Sequence, residues 1–271
     1  MFDELRKIPF FVVRDLRMLF TYKLALSAAL FGVVFNLFYF VLFGSMFGST
    51  ALASLSDYGG NYISYLLIGS IGWGFLWSIM QATSASLSEE MRMGPLESIL
   101  LTPTKISTLM IAYSIYGCFF GLIIFTILMT VGFFIFGITA FATANIYTLI
   151  IFILSLAMMT GFGMIFGGLT IWLKNIGETV TLIQNIAMFF CGVYFPVAVL
   201  PEQIQGVSYF MPFYYSIEGL RKSLIPSTNQ IELLFYVIML LLLSVSSIAI
   251  GLFVLKKGLI KAKKEGSLAF Y

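Results

Sequence analysis

The stretch around which this chain is organised reads Ser88-Glu89-Glu90-Met91-Arg92-Met93-Gly94-Pro95-Leu96-Glu97-Ser98-Ile99-Leu100-Leu101-Thr102-Pro103. It belongs to a predicted loop over residues 83–108, which holds the densest group of ionisable residues away from the two ends of the chain. Long apolar segments flank the loop on both sides. The pattern therefore predicts a short polar helix held at a membrane surface, where another protein can dock.

Two proline breaks shape the loop. Ser88 is expected to cap a helix that begins at Glu89, because its hydroxyl accepts from free N–H groups. Gly94-Pro95 ends that run, and Pro95 suits the first position of a new helix, Pro95–Leu101. Glu97 then lies near the positive end of this helix. A solvated charged loop is the alternative, which the flanking prolines disfavour.

The same logic applies where the loop ends. We expect Thr102 to cap the following helix and Pro103 to open it, leading into the next apolar segment. The short helix would then be fixed at both ends while exposing Glu97.

The overall composition indicates a membrane protein. Of 271 residues, 60% are hydrophobic and 10% are charged, and the mean hydropathy is +1.02. Soluble domains carry about 25% charged residues, so this chain cannot cover a water-facing surface. The net charge of +3 does not indicate nucleic acid, because the basic residues gather at the ends.

Several kinds of chemistry are disfavoured by the residues themselves. The chain contains no histidine, which argues against Ser-His or Cys-His catalysis and against histidine-ligated metals. Cys118 and Cys191 lie in separate apolar runs and are predicted to be packing residues. The pattern G-x-x-x-x-G-K-[ST] does not occur, so no ATP site of that kind is predicted here. We predict no catalytic residue, metal site or cofactor in this chain.

We predict a single all-α transmembrane domain over residues 1–271. Residues 1–23 are predicted to form an amphipathic interfacial helix, which could start at Pro9. A frayed terminal arm is the alternative. Its expected apolar face consists of Leu5, Ile8, Val12, Val13, Leu16, Leu19 and Phe20. Residues 24–255 hold six apolar segments, and residues 256–271 form a basic tail. The predicted spans are 24–47, 62–81, 109–136, 146–173, 179–199 and 233–255, and each reaches the length of about 20 residues that is needed to cross a bilayer.

The distribution of basic residues predicts the orientation. Thirteen Lys and Arg residues fall on the side that holds both ends and the loop at 83–108. Only Arg221 and Lys222 fall on the other side. Because basic residues favour the cytoplasmic side, we expect a multi-pass protein of the cell membrane with both termini and the loop in the cytoplasm.

Glycine pairs within the spans predict close helix packing. Gly117 and Gly121 form one small-xxx-small pair, and Gly163 and Gly167 form another. Such pairs let helix backbones approach closely in lipid.

Few polar groups lie deep in the spans. Gln184 and Asn185 lie in the fifth span, where we favour a hydrogen bond between helices, with a path-lining role as the alternative. No charged residue is expected deep in a span, which disfavours a proton- or sodium-coupled carrier.

The segment at 200–231 combines charged and aromatic residues. Glu218 and Arg221 are three positions apart, so they meet on one helix face. The segment fits a pair of short re-entrant helices, since backbone at membrane depth must be helical or covered by protein. Its function is either an outer gate, with aromatics stacking on a sugar or lipid headgroup, or an interfacial aromatic belt.

Three motifs in order resemble the permease subunit of ABC-2 type exporters. The run Glu90-Met91-Arg92-Met93-Gly94-Pro95-Leu96-Glu97-Ser98-Ile99-Leu100-Leu101-Thr102-Pro103 is similar to the family's E…G-T-L-E-x-L-L-x-x-P. Tyr194-Phe195-Pro196 with Leu200-Pro201 follows the fifth span. Met211-Pro212-Phe213-Tyr214-Tyr215-Ser216-Ile217-Glu218-Gly219-Leu220-Arg221 is similar to N-P-L-x-Y-x-x-E-x-x-R. Pro95 and Met211 depart from the family's common Thr and Asn.

The resemblance implies a half-transporter that pairs with a second copy or a sister permease. A separate ABC ATPase would carry the ATP and Mg, and would receive a coupling helix and part of the N-terminal helix. The implied ATPase-coupling residues are Glu89, Glu90, Arg92, Gly94, Pro95, Leu96, Glu97 and Pro103. The implied outer gate or re-entrant residues are Tyr194, Pro196, Pro201, Pro212, Tyr214, Tyr215, Glu218 and Arg221.

The predicted function is export of an amphipathic substrate, such as a drug, a lipid or a lipid-linked glycan, driven by the ATPase. An ATP-independent lipid scramblase or a membrane assembly scaffold is the alternative. An intramembrane enzyme is disfavoured, because the spans lack histidine, paired carboxylates and a metal cluster.

Overall fold

The computed structural model describes residues 2–46, 62–136, 143–174, 176–225 and 228–265, and all regular structure in these ranges is helical. The α-helices are α1 (Phe2–Thr21), α2 (Lys23–Met46), α3 (Tyr62–Met93), α4 (Pro95–Leu101), α5 (Ile106–Phe136), α6 (Ile146–Leu173), α7 (Gly177–Phe190), α8 (Glu202–Phe210), α9 (Pro212–Ser223) and α10 (Gln230–Glu265), with a 3-10 turn at Val197–Val199. The predicted outer loop at 48–61 and most of the turn at 137–145 lie outside the described ranges.

Among the described residues, four helices are long and apolar enough to cross a membrane, namely α3, α5, α6 and α10. A fifth span results if α1 and α2, which meet at a bend of 84°, are counted together. The helix predicted over 179–199 is shorter than expected. α7 has 14 residues and ends at Phe190, which gives a length of about 21 Å against about 30 Å of hydrocarbon. The described residues therefore give four or five candidate spans and do not confirm the predicted count of six.

The second predicted span continues well past its expected end. α3 runs for 32 residues and reaches Met93, so the first part of the predicted loop is helical. Ser88 lies inside this helix. The prediction that it caps a new helix at Glu89 is therefore wrong. At about 1.5 Å per residue, α3 is about 48 Å long and extends beyond the hydrocarbon region.

Small residues let α3, α5 and α6 pack closely, as predicted. A Cβ atom added at Gly117 of α5 would lie 2.7 Å from Ile79 Cα of α3. A Cβ added at Gly163 of α6 would lie 2.6 Å from Thr83 Cβ of α3. Both predicted glycine pairs therefore serve backbone approach to the central helix.

A second seam of glycines, which the sequence interpretation missed, joins α6 to α10. A Cβ added at Gly251 would lie 2.7 Å from the Gly161 carbonyl oxygen, and one at Gly258 would lie 2.8 Å from that of Gly168. These glycines recur every seven residues on both helices, which places them on one helix face. α6 and α10 are thereby in contact along most of their length.

α1 differs from its prediction in where it begins. It begins at Phe2, so Pro9 lies inside the helix and does not start it. The face turned towards the protein carries Val12 and Asp15, both buried. Leu5, Val13 and Phe20 of the predicted apolar face are exposed at the protein surface, where a membrane interface could receive them. The bend of 84° to α2 sets α1 nearly perpendicular to that helix.

Candidate functional site

The short helix α4 is formed as predicted. Gly94 precedes it with φ of 90°, a left-handed conformation that glycine adopts without strain, and Pro95 occupies the first turn. Leu96 is fully buried in an apolar cluster with Leu87 and Met91 of α3. Because Leu96 anchors one side of α4, the opposite side is presented outward, and Glu97 in the first turn is exposed.

Two apolar side chains on this exposed side were not among the predicted coupling residues. Leu101 is 85% exposed and Met93 is 59% exposed, one at each end of the α4 region. A large apolar group that stays this exposed at a membrane surface suits a protein interface, where Met and Leu supply contact area. Met93 and Leu101 flank Glu97 in sequence. Apolar residues on both sides of a charged surface residue were therefore the sequence feature that could have identified them.

The end of α4 is capped differently from the prediction. Thr102 terminates α4, and its Oγ1 donates to the Ile99 carbonyl oxygen at 2.6 Å. Pro103 is exposed and lies in the turn before α5, which begins at Ile106. The cap of α5 comes from α1 instead. The Glu4 carboxylate accepts from the Lys105 backbone N–H at 3.2 Å and from the Thr108 hydroxyl at 2.7 Å.

Lys7 completes this junction between α1 and the turn. Its Nζ donates to Glu4 Oε1 at 2.8 Å and to the Pro103 carbonyl oxygen at 2.8 Å. The Lys7 hydrogen bond, followed by those from Thr108 and Lys105, lowers the pKa of the Glu4 carboxyl to about 2. A carboxylate held in this way favours the docked form of α1 only while it is ionised.

Acidification is expected to loosen the junction between α1 and α5. Because the folded pKa of Glu4 lies below its ordinary value of 4.5, its stabilising contribution is present above pH 4.5 and is lost as the pH falls towards about 2. Amide exchange at Lys105–Thr108, measured with intrinsic rates corrected for pH, should show increased opening over this window. Glu4→Gln should show increased opening at neutral pH and a weaker pH dependence. Equal pH dependence in both proteins would contradict the assignment.

Glu90 is buried, whereas a residue that contacts an ATPase would have to face outward. It is 6% exposed, and its Oε1 accepts from Arg14 Nη2 of α1 at 2.5 Å. Arg14 Nε also donates to Asp15 Oδ1 at 2.8 Å, and burial raises the pKa of the Asp15 carboxyl. One arginine therefore compensates two buried carboxylates, and the cluster fastens α1 to the end of α3.

The neighbouring predicted coupling residues remain at the surface. Arg92 Nη2 donates to Glu89 Oε1 at 2.9 Å, and both side chains are exposed. This pair lies on the last turn of α3, directly before Gly94. Exposed pairs of this kind contribute little to stability, so both groups are available to a partner.

At the opposite end of α3, Arg221 of α9 forms a buried hub. Its Nη1 donates to the Tyr65 hydroxyl at 2.8 Å and to the Gly192 carbonyl oxygen at 2.6 Å, and its Nη2 donates to the Val193 carbonyl oxygen at 2.8 Å. Glu218 lies 3.7 Å away and is also buried. The predicted pairing of Glu218 with Arg221 on one helix face is thus observed. The hub ties the turn after α7 to α3.

The sequence interpretation missed Gly69 and Tyr65, which complete the hub. A Cβ added at Gly69 would lie 2.0 Å from Arg221 Nη2 and 2.3 Å from the Val193 carbonyl oxygen. The guanidinium also lies 3.6 Å above the centre of the Tyr65 ring, an arrangement that stabilises a buried cation. Only glycine leaves room for the guanidinium beside α3.

The other predicted outer residues lie in the turns and short helices between α7 and α10. Tyr214 and Tyr215 of α9 form edge-to-face contacts with each other, and the Tyr215 hydroxyl donates to the Tyr209 carbonyl oxygen at 2.8 Å. Tyr194 is half-buried, and its hydroxyl donates to Asn36 Oδ1 of α2 at 3.4 Å. The three prolines border the short helices: Pro196 is buried before the 3-10 turn, Pro201 is exposed before α8, and Pro212 opens α9.

The predicted hydrogen bond from the fifth span is not seen. Gln184 is half-buried and Asn185 is exposed on α7, and neither side chain is hydrogen-bonded to another residue in the part of the chain that the structure describes. α7 makes few contacts with the rest of the protein.

These features define a multi-pass, all-helical membrane protein with a helix presented at one surface and a buried charged hub at the far end of α3. The chain matches the family model described as ABC-2 type transporter over residues 17–225, which is more than half of its length. It therefore belongs to the ABC-2 type transporter family and is the transmembrane component of an ABC transporter. Members of this family normally work with an ABC ATPase and often dimerise. No curated protein matches the chain.

Proposed function

We propose that this protein is the permease subunit of an ATP-driven exporter, and that α4 is the helix on which a separate ATPase acts. The observation that carries the proposal is the geometry of α4. Its buried Leu96 holds it to the end of α3, while Glu97 and Leu101 remain exposed. A helix anchored on one side and open on the other can receive a force and pass it on. ATP and Mg would be bound by the ATPase.

α3 connects this contact to the far side of the protein. Only Gly94 separates α4 from Met93, the last residue of α3, and Tyr65 near the other end of α3 contacts the Arg221 hub. Met93 lies 28 positions after Tyr65, which corresponds to about 42 Å of helix. A displacement of α4 would therefore change the position of Tyr65 relative to Gly192 and α9. This supports an outer gate at the hub, bordered by the tyrosines of α8 and α9.

A pair of permease subunits agrees with the exposed apolar faces of α2 and α7. These helices contact the remaining bundle much less than α3, α5, α6 and α10 contact one another. Their exposed large apolar residues include Phe31, Phe35, Leu42, Leu182, Ile186 and Phe189. We propose that a second copy or a sister permease meets this side, with Gln184 and Asn185 lining the path between the subunits. The transported molecule would be an amphipathic drug, lipid or lipid-linked glycan.

Reversing the charge of Glu97 is expected to uncouple the permease from its ATPase. Glu97 is exposed, so Glu97→Arg should leave expression and folding intact apart from about 0.3–1 kcal/mol for a cation at a helix start. Recovery of the cognate ATPase on purification should fall roughly tenfold, a change that corresponds to about 1.4 kcal/mol in binding. Substrate-stimulated ATP turnover in proteoliposomes should fall with it.

Glu178→Arg is the matched control, because Glu178 is also an exposed glutamate in the first turn of a helix, α7. It should retain wild-type ATPase recovery. If Glu97→Arg recovers the ATPase and supports ATP turnover as well as Glu178→Arg does, α4 is not the coupling element. Substrate passage that needs no ATPase would instead favour the scramblase.

A further inference from the structure

The outward face of α1 carries a hollow that the proposed transport function leaves unused. Its volume is about 790 Å³, and its lining includes Phe10, Val13, Arg14, Arg17, Met18 and Tyr22. The first five of these residues follow a spacing of three, one, three and one along the helix, so they form one stripe. The hollow therefore combines an apolar surface with two guanidinium groups.

The charges of α1 are sorted between its two faces. Glu4 and Asp15 point towards the protein, where Lys7 and Thr108 donate to Glu4 and Arg14 donates to Asp15. Arg17 lies on the outward face, is exposed, and has no ion-pair partner among the residues described. Arg17 therefore gives this face a positive charge that no described residue compensates, and this charge lies beside exposed apolar groups.

The orientation of α1 matches the plane of a membrane surface. α2 is an apolar helix, and α1 is set at 84° to it. If α2 runs along the membrane normal, α1 lies almost parallel to the surface. Phe10 is 78% exposed and Tyr22 is 62% exposed, so they can enter the boundary between headgroups and acyl chains.

We infer that this hollow binds the headgroup of an anionic phospholipid. The Arg17 guanidinium, assisted by the exposed part of Arg14, would pair with the phosphate, while Phe10, Val13 and Met18 contact the upper acyl chain. A planar guanidinium matches phosphate oxygens in a two-point contact. The occupant is a lipid of the leaflet in which α1 lies, and the site would hold α1 against that surface.

The test uses the full-length protein in nanodiscs of phosphatidylcholine, with or without about one quarter phosphatidylglycerol. Hydrogen exchange is followed in peptides covering residues 10–22. We expect phosphatidylglycerol to slow this exchange roughly fivefold, the change that one basic residue at an anionic surface supplies. Arg17→Gln should remove most of the slowing.

Arg6→Gln is the matched control. Arg6 is an exposed arginine of the same helix, carries the same charge, and does not line the hollow. It should retain the slowing. Arg17→Lys keeps the charge but not the planar guanidinium, so it should retain part of the slowing, which checks that the loss in Arg17→Gln is not caused by misfolding. Equal loss in Arg6→Gln and Arg17→Gln would overturn the site, because only general charge would then matter. The site is also overturned if phosphatidylglycerol has no effect, or if only addition of the ATPase slows the exchange.

Discussion

Replacing Gly69 by alanine is expected to lower the melting temperature of the detergent-solubilised protein by roughly 6–12 °C, the shift that corresponds to about 3 kcal/mol in a chain of this size. The added methyl group would lie 2.0 Å from Arg221 Nη2 and 2.3 Å from the Val193 carbonyl oxygen. The carbonyl is backbone and cannot move away without disturbing the turn after α7. Arg221 would have to withdraw, which leaves the Gly192 and Val193 carbonyl oxygens without their charged donor.

Gly32→Ala is the appropriate control for this substitution. Gly32 lies in α2, another apolar helix, and a Cβ added there meets no atom within 4 Å. It should cost nothing, or should stabilise α2 slightly, because alanine is the better helix former. If both variants melt at the same temperature, the guanidinium does not occupy the space beside Gly69.

Replacing Arg14 by alanine is expected to release α1 from the end of α3. Removing one partner of a buried ion pair costs about 3–5 kcal/mol, and since Arg14 is 37% exposed we expect roughly 2 kcal/mol here. The cost arises because Asp15 and Glu90 stay buried without a counter-charge. Hydrogen exchange across residues 8–20 should rise roughly thirtyfold, while exchange in α6 and α10 should not change.

A compensating variant separates lost charge balance from lost packing. Arg14→Ala combined with Asp15→Asn and Glu90→Gln removes the uncompensated charges, so most of the protection should return. Arg6→Ala, on the same helix but exposed, should leave exchange at the wild-type level. If protection does not return in the triple variant, Arg14 holds α1 by contact of its aliphatic chain rather than by charge.

Much of the fold follows from local signals in the sequence. Gly94-Pro95 predicts both the break and the start of α4, because the two residues restrict the backbone on their own. The small-residue pairs in α5 and α6 likewise identify surfaces that approach another helix. The prediction of a helix cap at Ser88 was wrong, because polar composition indicates where a helix leaves the hydrocarbon and not where the helix ends.

Long-range pairing could not be predicted from the same signals. Arg14 and Glu90 are 76 positions apart, and no periodicity in either segment relates them. The early end of α7 is also hidden, because residues 186–195 form a largely apolar run and hydropathy does not distinguish helix from turn. Gly192, whose φ is 69°, is a local sign of the turn that is recognisable afterwards.

The glycine seams have a consequence for how the protein moves. α3, α5, α6 and α10 are in backbone contact at Gly117, Gly163, Gly251 and Gly258, and interfaces packed this closely cannot slide without collision. These close contacts favour movement of the four helices as one rigid body. The strain of each transport cycle would fall on α2 and α7, which are joined to that body by few contacts.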